Sequence, residues 1–83
     1  MTEAVKVTLS KPVTHNEASY SELTFREATV GDFMAGDQFK GEISQNVAVL
    51  SAISDVPIPA FKKICAADYR RILDATKDLL GNA

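Results

Sequence analysis

The sequence predicts an α+β fold, an N-terminal antiparallel β-hairpin followed by three to four α-helices, and three observations carry that prediction. Apolar residues alternate with polar ones through the first quarter of the chain. The period then changes from two to between three and four inside the stretch Leu23 to Phe33. A clean helical stripe closes the chain near its C-terminal end.

Val5, Val7 and Leu9 alternate with Lys6 and Thr8, the pattern of a half-buried strand rich in β-branched residues. Pro12 limits that strand or places it at an edge, because proline cannot donate to a ladder. His15 to Ser19 is polar and reads as a turn, and alternation resumes from Tyr20 to Arg26, so the two runs pair as a hairpin over about residues 4–27. A hairpin alone is marginal in water and needs its apolar face covered. The helical part, about residues 29–81, supplies the cover, and the whole reads as a single domain.

At the junction, Leu23 and Phe25 alternate with Thr24 and Arg26, and the pattern stops after Ala28. Thr29 stands three residues before Asp32, the spacing of a helix N-cap with an acid in the first turn. The helix that follows carries Val30, Phe33 and Met34 at spacings of three and four and should end near Gly36. Gly36 to Gly41 is a connection holding one large apolar residue, Phe39, either a core anchor or a contact for a partner. Between Glu42 and Ser54, the residues Ile43, Val47, Val49, Leu50 and Ile53 span an arc of about 160°, wider than an ordinary surface helix presents. Such a helix is either covered on two sides, the favoured reading, or offers a groove to a partner. Pro57 and Pro59 break it and begin a short helix from Pro59 to Ile64, with Phe61 and Ile64 turned inward. The last helix, Ala66 to Leu80, shows Tyr69, Ile72, Leu73, Thr76, Leu79 and Leu80 on one face, and Gly81 is its stop signal.

With 83 residues, the chain is short enough to bury only about 60 to 65% of its extended surface, so its core is small. Hydrophobic residues make up 46% and charged residues 24%, ordinary for a globular domain and too apolar for a disordered one. The single cysteine, Cys65, excludes an internal disulfide and fits a reducing, cytoplasmic setting. The first residues show no basic segment followed by an apolar run, and the longest apolar run, Val47 to Leu50, is far too short to span a membrane.

No catalytic pattern emerges. His15 lies in the predicted turn with no partner for metal or base chemistry, and Cys65 reads as a small residue before the last helix. A thiol enzyme built on Cys65 would need a base that the pattern does not supply. The carboxylates, Asp68 and Asp74 among them, read as scattered surface positions, and four glycines form no phosphate loop. The expectation is a protein that is not an enzyme and takes no cofactor or metal.

Net charge is −2, yet residues 62–83 hold five basic and three acidic residues. Lys62, Lys63, Arg70, Arg71 and Lys77 leave open a second reading, a small DNA-binding regulator using the last helix. Three interleaved aspartates and the lack of a helix-turn-helix pattern weigh against it.

The run Leu-Thr-Phe-Arg-Glu-Ala-Thr-Val-Gly-Asp-Phe, residues 23–33, resembles the L-x-L-R-E-P-T-x-x-D-L signature of small tail assembly chaperones of Mu-like and P2-like contractile-tailed phages and prophages. Residues 7–13 resemble that family's first strand, and Cys65 to Tyr69 resembles its x-D-[FY] element, with Asp68 and Tyr69 in the matching places. Ala28 stands where proline is usual. The segment from His15 to Ser19 lacks the common Asp-Gly, which suggests a longer, looser turn. The resemblance implies a chaperone that keeps the tape measure protein soluble while the tail tube assembles. It also implies tail tube protein as a further partner, action in the host bacterial cytoplasm and absence from the finished virion. In many such phages a longer product arises by ribosomal frameshifting. The residues expected to meet the partner are Phe39, Val49, Ile53 and Phe61.

Overall fold

A computed structural model describes residues 4–79. It has the expected architecture: strands β1 (Val5–His15) and β2 (Ala18–Phe25) form an antiparallel hairpin, followed by α1 (Val30–Gly36), α2 (Glu42–Ser54), α3 (Ile58–Phe61) and α4 (Ala66–Thr76).

The hairpin register places Val5 opposite Phe25 and Val7 opposite Leu23. Its apolar face, Val7, Leu9, Val13, Leu23 and Phe25, is buried against Leu50 and Ile53 of α2, Ala60 and Phe61 of α3, and Ile72 of α4. Phe25 and Phe61 meet edge to face with ring centroids 6.5 Å apart, joining the sheet to the proline corner. The expected roof over the hairpin is therefore present, built from α2, α3 and α4.

Four local readings change. The turn is tight, not loose: His15 pairs with Ala18, and only Asn16 and Glu17 lie between them, at φ 48° and 68°. Two consecutive positive φ values match the right-handed twist of the strands, so a two-residue turn forms without glycine, at a steric cost on Glu17. The short third helix begins at Ile58 and ends at Phe61, with Pro59 in its first turn. The last helix ends at Thr76, followed by a turn that buries Leu79; Leu80 and Gly81 lie outside the described residues. The fourth concerns Pro12, which does not limit β1 but does lie on an edge strand, the other alternative, in this two-stranded sheet. β1 continues past it, but the pairing slips between Thr8 and Val13, so Leu9 to Pro12 bulge out of the ladder.

α1 ends at Gly36 for a reason beyond helix propensity. A Cβ there would lie 3.1 Å from the Gln45 carbonyl oxygen and 3.3 Å from Val49 Cγ2, so the missing side chain lets α1 approach α2. α1 itself shows its apolar residues to solvent: Val30 is 74% exposed, Met34 63% and Phe33 44%. Among the described residues this helix of two turns, held by its cap and its last glycine, packs mainly against α2, which leaves the stripe uncovered.

Candidate functional site: an apolar groove on α2 and α4

Two aspartates build the frame that holds the surface in place. Asp32 completes the predicted capping box: Thr29 Oγ1 accepts from the Asp32 amide at 3.3 Å, and Asp32 Oδ2 accepts from the Thr29 amide at 2.8 Å. Arg26 adds a fork, its guanidinium donating to both Asp32 carboxylate oxygens at 2.8 and 3.0 Å. The Arg26 guanidinium, then the Thr29 amide, lower the Asp32 pKa to about 2 against the pull of burial. Arg26 also donates its backbone N–H to the Ile53 carbonyl, so the end of β2, the start of α1 and the end of α2 meet at one knot. The motif residues Arg26, Thr29 and Asp32 are thus structural, and Arg26 has a partner that its place on the wet face did not reveal.

Asp68 corrects the reading of the acids as surface positions. It is fully buried in the first turn of α4. Its carboxylate accepts from the Ser10 amide at 3.0 Å, the Ser10 hydroxyl at 2.9 Å and the Lys11 amide at 3.3 Å. Arg71 donates at 2.9 Å to Oδ1, the oxygen that also accepts the Ser10 hydroxyl. The bulge in β1 explains these partners: Ser10 and Lys11 have left the ladder, and Asp68 takes up their amides. Burial pushes the Asp68 carboxyl up, but the Ser10 amide and hydroxyl, the Cys65 thiol and the Lys11 amide outweigh it and hold the pKa far below the ordinary range. Cys65 occupies the N-cap position of α4 and does not cap through its side chain.

Ala28, where proline is usual, uses the N–H that proline would lack, donating to the Leu79 carbonyl at 2.9 Å. This ties the junction to the turn after α4.

Between these fixed ends the surface opens. The wide arc of α2 is covered only over its second half: Val49, Leu50 and Ile53 are buried, Val47 is half-buried, and Ile43 is 68% exposed. Ile43 borders three adjoining hollows of about 350, 420 and 160 Å³. The first lies between Ile43, Val47, Phe61, Ile64 and Tyr69; the second reaches along α4 to Arg70 and Leu73; the third runs past Phe39 and Ile58. Together they form one groove with Ile43 in its middle. Tyr69 borders two of the hollows, and its buried hydroxyl, near Asn46, makes no hydrogen bond among the described residues.

Of the residues expected to meet a partner, Phe39 is half-buried and lines the groove, and Phe61 lies in its floor while almost fully buried. Val49 and Ile53 face inward as core residues, Val49 beside Gly36 and Ile53 within the main cluster. The arc of α2 could not separate these two from Ile43, because the helix wheel records which residues share a side and not where along the axis the cover ends. Ile43 and Tyr69 are the residues that sequence reasoning left out of the site.

The basic residues of the C-terminal quarter do not form one free face. Lys63 donates to the Thr14 carbonyl, Arg71 pairs with Asp68, and Lys77 with Asp74, while Lys62 and Arg70 stand at the groove. Among the described residues, no group of three histidine, cysteine or acidic side chains could hold a metal ion, and no helix is long and apolar enough to cross a membrane.

Residues 6–81 match the family model described as phage tail assembly chaperone proteins, E, or 41 or 14. The chain belongs to this family. The match spans the hairpin, the Arg26–Thr29–Asp32 knot and the Asp68 lock, the features that position the groove. No curated protein and no solved structure matches it.

Proposed function

We propose that this tail assembly chaperone holds the tape measure protein in a soluble state through the groove centred on Ile43, with tail tube protein as a further partner. The observation that carries the reading is an apolar residue, 68% exposed, lying between two helices in a groove of several hundred cubic ångströms, in a chain of this family. Surfaces of this kind suit reversible capture of an amphipathic helix, whose apolar face would otherwise drive aggregation. The role calls for binding and release, not bond-making, so no catalytic group is assigned. It places the protein in the host cytoplasm during assembly and outside the finished particle.

Co-expression with the tape measure protein of the same phage or prophage tests the proposal. The expected outcome is a larger soluble fraction of that protein and its co-purification with this chain, both lost in Ile43→Asp. An unchanged soluble fraction with the natural chain overturns the function, and capture that survives Ile43→Asp overturns the site.

A further inference from the structure

Resting on the reading of the Ile43 groove as the partner site, we propose that the groove selects an α-helix whose apolar stripe is flanked by carboxylates. Three observations converge on this occupant. The first is the nature of the walls. The groove is lined by α2, α3, α4 and their connections, and no strand borders it, so no sheet edge is there to pair with an extended peptide. A strand laid on it would keep its own backbone groups unpaired, whereas a helix arrives with those bonds already made.

The second is spacing. Ile43 and Val47 stand four apart on α2, and Tyr69 and Leu73 stand four apart on α4. Each pair forms a short ridge, and an i, i+4 row of a third helix fits into the groove between such ridges.

Charge is the third. Lys62 stands at the end of the groove near Phe39, and Arg70 at the end near Leu73. Neither is engaged in an ion pair among the described residues, in contrast to Arg71 and Lys77. Glu42 is the one acid on the rim, at the Arg70 end, so the uncompensated positive charge lies toward Lys62. A carboxylate on either flank of a docked helix meets one of these cations without first breaking a bond inside the chaperone.

Two peptides of about 18 residues, long enough for isolated helix formation, separate this idea from generic stickiness. Both carry the same leucine stripe, one flanked by glutamates and the other by lysines, and each is titrated into the full chain while backbone amide resonances are followed. The glutamate peptide is expected to bind about five- to tenfold tighter at low ionic strength, as two exposed ion pairs allow, with the gap narrowing as salt is added. The shifts should centre on Ile43, Val47 and Tyr69. The double charge reversal Lys62→Glu, Arg70→Glu sits on exposed positions and should invert the preference while leaving the circular dichroism spectrum unchanged. Equal affinity for the two peptides, preference for the lysine peptide, absence of binding, or shifts away from the groove would each overturn the inference. Failure here is distinct from failure of the proposed function: peptides that bind alike in the groove remove only the charge selection, whereas tape measure capture that survives Ile43→Asp removes the site itself.

Discussion

The two sides of the molecule solve opposite problems. Where α4 meets β1, an interrupted ladder and a buried acid close on each other: Asp68 accepts from the Ser10 amide, the Ser10 hydroxyl and the Lys11 amide within the bulge. Where the first half of α2 meets α4, apolar side chains stand apart and a groove remains, with Ile43 in water. Polar groups inside must be satisfied, so the first side admits one arrangement only. Apolar groups can wait for a partner, because exposing them costs no specific bond. The difference suggests how a chain this small keeps a sticky surface without collapsing onto it: the rigid side holds the walls at a set spacing.

Breaking the closed side should have the largest effect. Asp68→Ala leaves the Ser10 and Lys11 amides and the Arg71 guanidinium without their shared acceptor, and its denaturation midpoint at neutral pH should fall further than that of any other variant named here. Gly36→Val comes next. Its side chain must enter space already within 3.1 Å of the Gln45 carbonyl, and overpacking of this sort costs about 1 to 3 kcal/mol in a urea melt. Thr29→Ala removes the cap of α1 and should cost about 1 kcal/mol. On the open side, Ile43→Asp should shift stability by no more than about 0.5 kcal/mol, because the residue is mostly in water, while abolishing partner capture. A large loss of stability in that variant would mean that the groove is part of the core and the contrast is false. Smallest is Tyr69→Phe, which deletes a buried hydroxyl that has no hydrogen bond among the described residues and should be neutral or stabilising by less than about 0.5 kcal/mol.

Acid sharpens the same contrast. Both Asp32 and Asp68 have folded pKa values below the unfolded value, so each contributes stability that is present above about pH 4 and is lost as pH falls through the folded value. For Asp32 that window runs from about 4 down to about 2. Stability followed by denaturant melts should therefore fall between these limits, with a shallower fall in Asp32→Asn. A pH profile unchanged by that substitution would show that the Arg26 fork contributes nothing in solution.

The strand-to-helix junction was the most legible part of the chain. Thr29 and Asp32 stand three apart, and a capping box involves only neighbours in sequence, so the pattern of residues contains the whole interaction. Arg26 was less legible because its partner, although six residues away, lies across a change of secondary structure. Asp68 was not legible at all. Arg71 is only three residues away, but the Ser10 and Lys11 groups that bury it are 58 and 57 residues distant, and they need it only because β1 bulges, which no local pattern announces. The same limit governs the candidate site. The breadth of α2 was plain from its periodicity, but the choice of which residues of that arc are core and which are groove depends on where α3 and α4 stop along its axis.

The sequence alone determined the fold class, the order of the elements, the cap of α1 and the family resemblance, because each rests on local period, neighbouring residues or a contiguous motif. Only the tertiary structure decided that Asp68 is a buried lock, that Val49 and Ile53 are core, and that Ile43 is the open face. Those outcomes depend on which distant segments come to rest against each helix, and burial is a property of that meeting and not of any residue by itself.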